Sequence, residues 1–81
     1  MNDNNYNSAP AQTYPAPGTI TINVSSIVLY DTYNGTKIGS VYYGQTYPSM
    51  DFKIGDKYDW IQIGDGAWIP VDKDETWIIN N

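Results

Sequence analysis

With 81 residues, no cysteine, no histidine, and nine acids against four lysines for a formal charge of −5, the chain excludes much before any motif is read. It is long enough for one small domain. Without Cys or His, it can hold no disulfide staple, no Cys–His or Ser–His–Asp nucleophile and no His-ligated zinc.

Taken in order, residues 1–18 read as a disordered, semi-extended linker. Asn, Ser, Ala and Gln dominate, and Pro10, Pro15 and Pro17 block regular structure. The opening Met-Asn-Asp-Asn-Asn lacks the basic and apolar regions of a signal peptide, so synthesis in the cytoplasm without a self-borne export signal is expected. No apolar run approaches the roughly 20 residues of a membrane-spanning helix.

From residue 19 the texture changes to that of strands. Residues 19–24 alternate polar and β-branched side chains at period two. Residues 27–30 form a second apolar run, and residues 31–35 a loop whose Asn34-Gly35 step is a turn signal. Residues 37–43 predict a third strand, ended by Gly44. Residues 46–53 predict a fourth, in which Pro48 requires an edge position or a bulge. A loop over 54–59 leads into a hairpin of 60–63 and 67–71 around Gly64-Asp65-Gly66, which supplies positive φ where a tight turn needs it. Trp60 and Gln62 are expected on one face of it, Ile61 and Ile63 on the other. An acidic turn at 72–75 precedes a last short strand at 77–79. No helical spacing persists over ten residues. The expected fold is all-β: a small barrel or sandwich of five to seven short antiparallel strands over residues 19–81.

With the strands placed, three blocks stand in order. They are Ile38-Gly39-Ser40-Val41-Tyr42-Tyr43-Gly44-Gln45-Thr46, Trp60-Ile61-Gln62-Ile63 and Gly66-Ala67-Trp68-Ile69. Together they resemble the bacterial SH3 (SH3b) pattern over residues 28–71. The chain departs from it at Val28-Leu29-Tyr30-Asp31-Thr32, where the family often has Asn-Val-Arg-Ser, and the missing arginine removes any ligand contact it makes in relatives. Residues 19–24 and 77–79 suggest added edge strands. The resemblance implies an SH3b-like barrel serving as the cell-wall-binding module of a phage endolysin, most similar to amidase-type endolysins of enterococcal phages. It further implies a Gram-positive wall as partner and a catalytic domain joined through the N-terminal linker. Further copies of the module, or the full-length enzyme, are implied as assembly partners.

The residues themselves fit a binding module better than an enzyme. The remaining catalytic route is a carboxylate pair. Glu75 is the only glutamate, and most aspartates fall in loops where water solvates them. The acidic balance argues against nucleic acid and anionic membranes. It also gives no attraction to polyanionic teichoic acid, which leaves wall peptide or neutral glycan as the expected ligand. No cofactor or metal is expected. The 72–75 turn and Asp56/Asp59 lack the ligand spacing of a calcium loop.

Candidate contact residues are aromatic. Tyr42 and Tyr43 are expected to be exposed at a strand end, with Tyr33, Asp31 and Lys37 near the preceding loop. A tyrosine pair there serves a wall ligand or a subunit contact equally well. Trp60 and Trp68 are contact candidates too, although with Tyr30 and Tyr47 their area is needed to complete so small a core. Two other classes stay open: an assembly module, and an SH3-like adaptor for proline-rich peptides.

Overall fold

Period-two patterning sorts the chain onto two facing sheets. The computed structural model describes residues 18–81, so the expected linker lies, apart from Gly18, outside the described residues. Eight strands follow one another: β1 (Gly18–Ile22), β2 (Ser26–Tyr30), β3 (Lys37–Tyr42), β4 (Thr46–Ser49), β5 (Asp51–Ile54), β6 (Asp59–Gly64), β7 (Ala67–Val71) and β8 (Ile78–Asn80). They form a three-stranded sheet in the order β4-β1-β8 and a five-stranded sheet in the order β3-β2-β7-β6-β5. Every pairing is antiparallel.

The core between the sheets consists entirely of β-branched residues. Ile20, Ile22 and Ile78 on one sheet meet Ile27, Val41, Ile61, Ile63, Ile69 and Val71 on the other. Such side chains are stiff at χ1 and fill a pleated surface well, and burying each contributes roughly 1.5–3 kcal/mol. Tyr47, Phe52 and Trp77 pack around this cluster from its margins.

The all-β expectation holds, with three corrections. The two sheets do not close into a barrel, and the strands number eight rather than five to seven, because the stretch 46–53 is two strands. Its first half pairs with β1 and its second with β6, and the chain changes sheets at Met50, whose N–H donates to the Gln62 carbonyl at 2.8 Å. The third correction concerns β1, which was expected at an edge. It lies at the centre of its sheet, between β4 and β8, where neighbours on both sides leave Ile20 and Ile22 wholly buried. Pro48, which cannot donate to a ladder, sits on edge strand β4 as its chemistry demands.

In the β6–β7 hairpin the alternation runs as read. Trp60 pairs with Pro70 and Gln62 with Trp68 on one face, while Ile61 pairs with Ile69 on the core face. The register shifts between Gln62 and Gly64, and Gly66 takes φ 65°, closing the turn through a bulge. Both tryptophans are therefore on the side of the five-stranded sheet that faces away from the isoleucine core.

Candidate functional site

On that outer face Trp60 and Pro70 stand opposite one another across β6 and β7. Proline has no N–H for a ladder, and β2 is registered with β7 only at Tyr30 and Trp68. Tyr30 then turns its ring edge-on to Trp60, with centroids 5.1 Å apart and planes at 83°. These three side chains form the apolar floor of a groove of about 510 Å³.

Two loops make its walls. One is the segment 31–35, which contributes Asn34 and Gly35. Its own hydrogen bonds fix it: Asp31 Oδ1 accepts from the Thr36 N–H at 2.8 Å, the Asp31 N–H donates to the Thr36 carbonyl at 3.0 Å, and the Gly35 N–H donates to the Thr32 carbonyl at 3.0 Å. Asn34 takes φ 56°, a conformation asparagine tolerates better than most residues. A Cβ on Gly35 would sit 2.3 Å from Asp31 Oδ1, so only glycine lets this loop close on its carboxylate.

The other wall is the segment 55–58, which contributes Asp56, Lys57 and Tyr58. A Cβ on Gly55 would lie 2.4 Å from the Tyr58 carbonyl and 3.2 Å from Trp60 Nε1. Glycine there both permits the tight loop and keeps the space beside the indole N–H open. The Tyr58 ring leans on Trp77 at 5.6 Å, and Lys73 reaches the Gly55 carbonyl and the Asp59 carboxylate from the β7–β8 linker.

The acidic turn in that linker has a structural task. Asp72 accepts from the Thr76 N–H at 2.8 Å, the Thr76 hydroxyl at 2.6 Å and the Trp77 N–H at 3.0 Å. Burial acts to raise its pKa, and these hydrogen bonds to the charged form outweigh that, so the group lies below its ordinary 3.8. A depressed carboxylate stabilises the fold above its unfolded pKa, and that contribution is lost as pH falls through the lower folded value. The melting temperature should therefore drop on acidification below about pH 4, and Asp72→Asn should flatten that drop, as thermal melts at stepped pH would reveal. Among the described residues no three carboxylates converge as a metal site would need.

The expected contact residues fall on separate surfaces. Trp60 lines the groove although only 6% exposed. Trp68 is one residue pair further along the same face, covered edge-on by Tyr33 at 5.2 Å, and Lys53 Nζ stands 5.5 Å over the Tyr33 ring. Asp31 is the internal acceptor of its loop, and Lys37 is exposed on β3, paired with Tyr30.

Tyr42 and Tyr43 are at the opposite end of the β2–β3 hairpin from the 31–35 loop, 55% and 69% exposed. Their turn is rigid. Gln45 Oε1 accepts from the Tyr42 N–H at 2.7 Å and the Tyr47 hydroxyl at 2.8 Å, and the Gly44 N–H donates to the Ile22 carbonyl at 2.9 Å.

Pro70, Tyr58 and Lys57 were not among the expected contacts, and Tyr30, Asn34-Gly35 and Asp56 were read as scaffold and turns. The available clue was that the Asn34-Gly35 turn closely follows Tyr30 and the loop over 54–59 leads directly into Trp60, so each wall adjoins an aromatic of the floor.

No family model matches the chain, and comparison with curated proteins and with solved structures finds no match either.

Proposed function

We propose that the domain binds the Gram-positive cell wall without chemistry of its own, and so directs the catalytic domain of an endolysin of the SH3b-bearing kind to peptidoglycan. The Tyr30–Trp60–Pro70 groove is the observation that carries this reading. An aromatic floor bounded by an amide, one carboxylate and one ammonium suits an extended peptide or a sugar face, whose apolar surface rests on rings while its polar edges find hydrogen bonds. A net charge of −5 favours wall peptide or neutral glycan over teichoic acid.

A fluorescent fusion of residues 1–81 is expected to decorate Gram-positive cells, to leave Gram-negative cells dark, and to keep binding purified walls stripped of teichoic acid. Failure to label any Gram-positive surface removes the reading. Binding that vanishes with teichoic acid alone removes the choice of ligand.

A groove this small binds weakly in isolation, and several copies in one assembly raise retention by holding the next site at high local concentration. The Tyr42–Tyr43 turn favours such an assembly. It is exposed and rigid, and it ends β3, an edge strand with a free side among the described residues. Light scattering on a Tyr42→Ser, Tyr43→Ser double variant tests this contact, with a fall in mass expected.

A further inference from the structure

Resting on the groove as the wall-binding site, we infer that Lys73 is its positioning residue: one ammonium, outside the groove, sets where the wall formed by Asp56, Lys57 and Tyr58 stands.

The two walls are built differently. The 31–35 loop closes on itself through backbone bonds and the Asp31 carboxylate. The 55–58 segment has no such means. Among the described residues no backbone–backbone hydrogen bond outside the strand ladders involves it. The β5–β6 ladder ends at Ile54 and Asp59, the residues that bracket it. The ladder closes its base, and what holds it beyond that comes from the β7–β8 linker. Lys73 Nζ donates to the Gly55 carbonyl at the start of the segment and pairs with Asp59 Oδ1 at 2.6 Å at its end. A single cation thereby ties the first residue of the segment to the ladder residue that follows its last, where the segment has no backbone bond of its own. The Tyr58 ring on Trp77 adds a second contact from the same linker.

Burial makes this more than a surface ion pair. The Asp59 side chain is 11% exposed against 42% for Lys73, so the carboxylate end of the pair is shielded from water, whereas a fully solvated pair would contribute little. The linker is in turn pinned by Asp72 through Thr76 and Trp77. Support therefore runs from the acidic turn to Lys73 and Trp77, and from them to the groove.

Lys57, exposed in the segment, makes the wall readable, because tryptic cleavage after it quickens as the segment opens. Lys73→Met alone strands the Asp59 carboxylate and risks the fold, so the decisive variant is Lys73→Met with Asp59→Asn. In this double variant tryptic cleavage after Lys57 is expected to quicken about tenfold, as local opening of one segment predicts. Cleavage after Lys37 and Lys53, which lie in strands, should hold at the wild-type rate. Retention on purified peptidoglycan should fall by about tenfold, the loss expected when a charge-assisted bond no longer orders a wall. Lys73→Arg, which keeps a cationic donor, should stay near wild type in both.

Unchanged cleavage after Lys57 overturns the inference. So does cleavage that rises equally at Lys37 and Lys53, which marks a general loss of stability, or a loosened wall with undiminished retention. Should the wild-type chain itself ignore peptidoglycan, the wall-binding reading fails and the cleavage pattern alone decides whether Lys73 sets the segment.

Discussion

Ile61→Ala is expected to destabilise the domain by about 3–4 kcal/mol, more than any surface change considered above. Ile61 is fully buried in the middle of β6, flanked by Phe52 on β5 and Ile69 on β7, and it faces the cluster that includes Ile20 and Ile22. Strands on both sides prevent the backbone from collapsing into the space, so the lost transfer energy and the cavity add. Domains hold roughly 0.05–0.15 kcal/mol per residue, so the cost removes a large share of what a domain this small has. In urea the midpoint should move sharply downward with the slope unchanged. Tyr43→Ala, at an exposed ring, should stay within about 0.5 kcal/mol of wild type. A midpoint for Ile61→Ala close to wild type would mean that the two sheets do not share one packed core.

How much of this was legible follows from how local each feature is. The alternation around Ile20 and Ile22, and around Ile61, Ile63, Ile69 and Val71, fixes strands because period two is written in adjacent residues. Pro48 announces its edge by lacking an N–H. The break at Met50 is different. Nothing within 46–53 states that its halves pair with different sheets: β6 follows the second half after a short loop, but β1, the partner of the first half, is separated from it by β2 and β3. The central place of β1 was hidden for the same reason.

The faces of the hairpin were readable, but not which of them is the core. Trp60 and Ile61 are both large and apolar, and only the neighbouring sheet decides that the isoleucines point inward. The groove is less local still. Tyr30, Trp60 and Pro70 meet through two strand pairings, and Lys73 meets Asp59 through a loop geometry with no sequence period. Tyr42 and Tyr43 were recognisable as an exposed pair, since a strand end before Gly44 has nothing to cover them.

Tyr58→Ala is expected to weaken retention on purified peptidoglycan about 30-fold, the loss of about 2 kcal/mol that truncating one aromatic anchor brings. The ring belongs to the groove wall and rests against Trp77. It is 39% exposed, so removing it should cost the fold about 1 kcal/mol or less. Retention and melting temperature therefore separate in this variant. They would fall together in Trp60→Ala, whose ring is both groove floor and buried packing.

The comparison that decides between surfaces is the Tyr42→Ser, Tyr43→Ser pair. If those tyrosines join copies, the affinity of each site for a soluble peptidoglycan fragment stays at the wild-type value, and only retention on intact wall falls, because avidity is lost. Salt gives an independent check: a groove offering one carboxylate and one ammonium to a neutral ligand should bind almost equally at low and high ionic strength. If instead Tyr58→Ala binds the fragment as wild type does and the tyrosine pair abolishes binding, the Tyr42–Tyr43 turn is the wall site, and the Tyr30–Trp60–Pro70 groove has another occupant.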